Sequence, residues 1–81
     1  MIKYIVKNIK DDTILSTEDK IEFYTFVLLN DKKGYHAYTE VYKRDKCVHK
    51  TLCVPLSSLS WFIVDVSKMF IEKKTTVEIL N

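Results

Sequence analysis

The sequence predicts an α+β domain: an antiparallel meander of about four strands, one long helix covering one face of the sheet, and a short C-terminal strand. Three observations lead there. β-Branched and aromatic residues crowd into short runs, as pleated, half-buried surfaces favour. The one glycine and the one proline fall between those runs. After Pro55 the apolar period lengthens from that of a strand to that of a helix.

The elements follow in order. Residues 2–6 form the first strand, followed by the polar "NIKDDT" and a loop through "STEDK". Residues 21–29, "IEFYTFVLL", read as a second strand, closed at "NDKKG", where Asn30, Asp31 and Gly34 mark a turn. Residues 35–42 and 47–54 form two more strands around the tight connection "KRDK", and Pro55 ends the last because it cannot donate to a ladder. Over residues 57–73, Leu59, Phe62, Ile63, Val66, Met69 and Phe70 recur at helical spacing and fill one apolar arc. Ser57 or Ser58 is the expected N-cap, and Lys73 and Lys74 suit the negative end of the helix dipole. "TTVEIL" reads as the short closing strand.

At 81 residues the chain is one domain, near the lower limit at which a core forms unaided. Trp61, Val64 and Ile71 fall outside the main arc of the helix. A one-sided helix on a monomer's sheet has no need of them, so the domain is expected to be completed by homodimerisation through that second side, unless the closing strand covers it.

Charge is nearly balanced, with 13 basic and 11 acidic residues. Its distribution is not: residues 32–50 hold six basic and two acidic side chains, so a polyanion surface is expected in that segment. Twelve of the basic residues are Lys, and Lys, Ile and Tyr are common, the usage of AT-rich coding in a low-GC bacterium, a phage or a virus. The opening "MIKYIVKNIK" lacks the apolar core of a secretory signal. No apolar run is long enough to span a bilayer. Cys47 and Cys53, six residues apart on one strand, would stand roughly 20 Å apart, too far to bridge. Reduced thiols and a cytoplasmic location, or the host cytoplasm or nucleus for a viral protein, are expected.

If Arg44 and Asp45 are the two loop residues of a hairpin, Tyr42 would face Cys47, Glu40 would face His49, Tyr38 would face Thr51 and His36 would face Cys53, all on one side. The other side, with Ala37, Thr39 and Val41 opposite Leu52, Lys50 and Val48, is the more aliphatic and should meet the helix. A one-residue slip would exchange the two faces. The first side then presents Tyr38 and Tyr42 near Lys and Arg, the arrangement that base stacking on a sheet requires. The alternative is ordinary cross-strand packing on a solvated face.

Enzyme chemistry finds little footing. One glycine cannot build a phosphate loop, and the serines stand by no nucleophile elbow. His36, His49, Cys47 and Cys53 lack metal-ligand spacing, so neither a metal nor another cofactor is expected.

The pattern resembles the PUR repeat, a four-stranded sheet followed by a helix in the PUR/Whirly single-stranded nucleic-acid-binding class. The resemblance covers roughly residues 20–72 and rests on "IEFYTFVLL", "KKGYHAYTEVYKR" and "HKTLCVPLSSLSWFIVDV". It implies two repeats interlocked through their helices, and single strands bound over the outer sheet face and the basic strand connections. The matching positions here are Tyr38, Tyr42, Lys43, Arg44, Lys46 and Lys50. The terminal "TTVEILN", the presence of Glu40 and the near absence of Arg depart from that family's pattern. Two functions are therefore carried forward. One is a non-enzymatic single-stranded DNA- or RNA-binding homodimer, and the other is a phage- or virus-type module that binds and modulates a host protein. Counterion release makes the first strongly salt-dependent and the second much less so.

Overall fold

The computed structural model describes the backbone of residues 1–72 and side-chain surroundings through residue 64. The closing strand expected at residues 75–80 lies outside the described residues. The chain runs β1 (Ile2–Lys7), β2 (Thr13–Thr17), α1 (Lys20–Asn30), β3 (His36–Lys43), β4 (Lys46–Lys50), β5 (Val54–Pro55) and α2 (Leu56–Glu72). The class is α+β as expected, with an antiparallel sheet in the order β2-β1-β3-β4 and β5 paired to the start of β3.

The meander is not continuous. Residues 21–29, expected as a strand, lie in helix α1. Asp19 caps the helix by accepting from the N–H groups of Ile21 (2.9 Å) and Glu22 (3.3 Å), and it is followed three residues later by Glu22. Phe23 and Val27, one turn apart, are the residues that α1 buries. Replacing Asp19 with Ala should therefore cost about 1 kcal/mol, lowering the melting temperature by roughly 4–8 °C in a domain of this size. A thermal scan by circular dichroism checks this; an unchanged midpoint would mean that the cap adds nothing.

A strand appears where a loop was expected. β2 pairs with β1 through Tyr4–Thr17, Ile5–Ser16 and Val6–Leu15, with a bulge before Lys7–Thr13. Asn8 closes the connection, its side chain accepting from the Asp12 N–H at 2.9 Å. Gly34, entering β3, has φ +73°, a conformation that disfavours any side chain.

The two-residue turn at Arg44 and Asp45 is as expected, both residues at positive φ, with Tyr42 opposite Cys47 and Lys43 opposite Lys46. Beyond Tyr42 the register shifts, so that Val41 faces His49 and Glu40 faces Lys50, displacing the expected Glu40–His49 pair. Val48 is the extra residue of this bulge. The expected single strand over residues 47–54 is thereby divided. Between β4 and β5, Thr51 holds on to β3 with its side chain as well as its backbone: its Oγ1 accepts from the Thr39 N–H at 2.8 Å, and its own N–H donates to Thr39 O at 3.0 Å. Downstream, His36 faces Pro55 rather than Cys53.

Both helices lie on one face. Val6, Phe23, Val27, Ala37, Leu56 and Ile63 form the buried cluster, with Tyr4, Leu15, Tyr24, Phe26, Tyr35 and Leu59 partly buried around it. Tyr4 stacks on Phe23 at 4.8 Å between ring centres, tying β1 to α1. α2 begins at Leu56, immediately after Pro55, so neither Ser57 nor Ser58 is its cap. Its inward line is Leu56, Ser60 and Ile63, one helical face, with Leu59 beside it. The Ser60 hydroxyl donates to Asp31 Oδ2 at 3.1 Å, joining the two helices; Ser57 O is its alternative acceptor at 3.2 Å. Phe62, expected in the core arc, stands about 100° from Ile63 and is 61% exposed. Two helices therefore share the cover that one was expected to provide.

Candidate nucleic-acid interface on the open sheet face

Strand alternation puts Ala37, and with it Val6 and Tyr4, under the helices. The opposite parity therefore forms the open face: Lys3, Ile5 and Lys7 on β1, and His36, Tyr38, Glu40 and Tyr42 on β3. The bulge in β4 brings Lys50 to this face opposite Glu40, although the unbulged register assigned it to the helix side.

Cations and tyrosines interleave here. Lys50 Nζ lies 4.3 Å from the centre of the Tyr38 ring, and Lys7 Nζ approaches the same ring at 5.8 Å from β1. Lys3 Nζ lies 5.2 Å from the Tyr42 ring. All three distances fall within cation–π range. Tyr38 is only 9% exposed and Ile5 beside it is buried as well, although neither belongs to the cluster under the helices.

Glu40 is the acid among them. Its Oε1 accepts from the Tyr42 hydroxyl at 3.0 Å, and its Oε2 stands 3.9 Å from Lys50 Nζ. The bond to Glu40 holds the proton on Tyr42, raising its pKa above the ordinary tyrosine value. Lys7 is likewise raised, chiefly by the Asp11 carboxylate 3.5 Å away, so it stays charged. Both side chains are half-buried, but Asp11 is exposed, so the Lys7–Asp11 pair adds little to stability.

Of the expected binding residues, Tyr38, Tyr42 and Lys50 meet on this face, while Lys43, Arg44 and Lys46 surround the exposed turn just beyond Tyr42. Lys3 and Lys7 were not anticipated. They lie four apart in "IKYIVK", sharing parity with Ile5, and that spacing is the signal that could have found them. Of the expected dimer residues, Trp61 is 76% exposed and Val64 is exposed as well, while the side chain of Ile71 lies outside the described residues. Cys47 and Cys53 are free and exposed. Among the described residues, no three His, Cys, Asp or Glu side chains gather as metal ligands, and no helix is long and apolar enough to cross a membrane.

No protein-family model matches the sequence, and no curated protein or solved structure matches it.

Proposed function

We propose that the chain is a non-enzymatic binder of single-stranded DNA or RNA, acting through the open sheet face and the adjoining turn. The observation that carries this is the interleaving of Lys3, Lys7 and Lys50 with Tyr38 and Tyr42, continued by Lys43, Arg44 and Lys46. Together with Glu40 and Asp45 these charges make a positive surface, leaving the rest of the chain net acidic. Glu40 opposes phosphate, but Tyr42 and Lys50 engage its carboxylate.

The lysine cover over Tyr38 is compatible with stacking on energetic grounds. At about 0.5–1 kcal/mol each, the two cation–π contacts on Tyr38 together contribute about 1–2 kcal/mol. A base stacked on an aromatic ring contributes about 1–3 kcal/mol. A single strand can therefore take the ring face while the displaced ammonium groups move onto its phosphates. The likeness to the PUR repeat is a weaker support, because one of its three segments, "IEFYTFVLL", is α1 here. Fluorescence anisotropy with labelled single- and double-stranded oligonucleotides tests the reading. Single strands should bind better, since duplex bases are already stacked, and an absence of binding at low salt would overturn it.

The adjacent exposed aromatics Trp61 and Phe62 favour a second reading, in which α2 docks on protein. A second copy of the chain is the partner expected from the helix pattern, with a host protein the alternative. Val64→Glu should turn a dimer into a folded monomer, because Val64 is exposed within the single chain and only a partner would bury the carboxylate. Sedimentation at tens of micromolar (roughly the range for ordinary oligomers) checks this, and a monomeric parent protein would refute the dimer.

A further inference from the structure

We propose that the outer edge of β2 and the groove beside it receive an extended apolar segment with basic flanks from another protein. This inference is independent of the nucleic-acid reading, because it uses the sheet edge and the helix side rather than the open face.

The two edges of the sheet differ. β4 carries Lys at both ends, Lys46 and Lys50, and such charges discourage a further strand. β2, at the opposite edge, is Thr13-Ile14-Leu15-Ser16-Thr17, with no charge and no proline. Its inner side pairs with β1 and, among the described residues, no strand pairs with its outer side, so its outward N–H and C=O groups are a template for one more strand.

A groove runs beside this edge on the helix side. Leu15 forms one wall, and Glu22, Thr25, Phe26 and Leu29 form the other as a single stripe of α1 at i, i+3, i+4 and i+7. It is a shallow groove open to solvent, with about 380 Å³ of space along it. Leu29 is 76% exposed, which α1 packing does not explain. A strand added to β2 would direct every second side chain into this groove while its backbone completes the ladder.

Charge selects the occupant. Asp11 and Asp12 precede β2, Glu18 and Asp19 follow it, and Glu22 lines the groove: five acids against Lys7, which pairs with Asp11, and Lys10 and Lys20. A basic-flanked partner complements these acids. A second copy does not, because antiparallel pairing of β2 with its own copy would bring Asp11 and Asp12 beside Glu18 and Asp19.

Selection of short random peptides on the purified chain tests this. The enriched peptides should alternate apolar residues, carry Lys or Arg at their ends and lack proline. A synthetic enriched peptide should shift the amide resonances of residues 13–17, and Leu29→Lys should weaken it by about tenfold or more, as loss of a seated side chain together with added charge repulsion would. Leu29 is exposed, so the variant keeps the fold, and the amide shifts report the site without any variant. Four results would overturn the proposal: no enrichment, acidic or non-alternating winners, shifts confined to α2 or the open face, and an oligomer of the chain that Leu29→Lys dissolves.

Discussion

Leu56→Ala should lower stability by about 2–5 kcal/mol, as deletion of a fully buried leucine does. Leu56 is 0% exposed and belongs to the central cluster with Val6, Phe23, Val27, Ala37 and Ile63. Its position leaves little room for relaxation. It follows Pro55 directly, opens α2, and its N–H donates to Tyr35 O at 3.0 Å, so the backbone at the site is held by the sheet. At about 0.05–0.15 kcal/mol per residue, a chain of this length holds roughly 4–12 kcal/mol in all. The substitution should therefore remove a large share of it. In a denaturant titration the midpoint should fall while the slope stays constant. Trp61→Ala is the control, because its exposed ring should change stability by no more than about 0.5 kcal/mol in the monomer. A Leu56→Ala loss no larger than that of the control would mean that the cluster does not hold the two helices to the sheet.

The same residues show why the fold was only partly legible in the sequence. "IEFYTFVLL" is apolar on both parities, and such a run is compatible with a buried strand or a largely buried helix; β-propensity tipped it toward strand. Asp19 ahead of the run was the deciding signal, since a strand has no use for a side chain that accepts from the N–H groups two and three residues on. β2 escaped notice because an edge strand with two apolar residues between Ser and Thr looks like a loop until its partner is known. The Arg44–Asp45 turn was legible from length alone, and it fixed Tyr42 and Lys43 correctly. The bulge at Val48 was not, because nothing in a single strand's pattern requires an extra residue. That bulge moved Lys50 across the sheet to Tyr38, so part of the candidate site depends on a backbone irregularity invisible to periodicity.

Replacing Lys43, Arg44 and Lys46 with Ala should weaken single-strand binding for every base sequence and flatten its salt dependence. Each phosphate contact on a single strand contributes about 0.7 to the slope of log K against log salt, so loss of all three should reduce the slope by roughly 2. These side chains surround an exposed turn, so the fold should be retained. Tyr42→Ala should act differently, costing about 1–3 kcal/mol while leaving the slope nearly unchanged, because a ring contributes stacking and no counterion release. Tyr42→Phe separates the ring from its hydroxyl: it keeps the stacking surface and gives up the bond to Glu40. If the ring is what binds, Phe should rescue most of what Ala loses. Glu40→Gln removes the one carboxylate engaged by both Tyr42 and Lys50, and it should raise affinity, since Lys50 then faces phosphate without a competing acid. Tyr38 is the less clean probe, because burial under Lys7 and Lys50 makes its truncation a stability change as well. The pattern is therefore diagnostic as a set. A slope that survives the turn substitutions would place the phosphates elsewhere, and a Tyr42→Ala variant that binds normally would reduce the open face to an electrostatic surface without stacking.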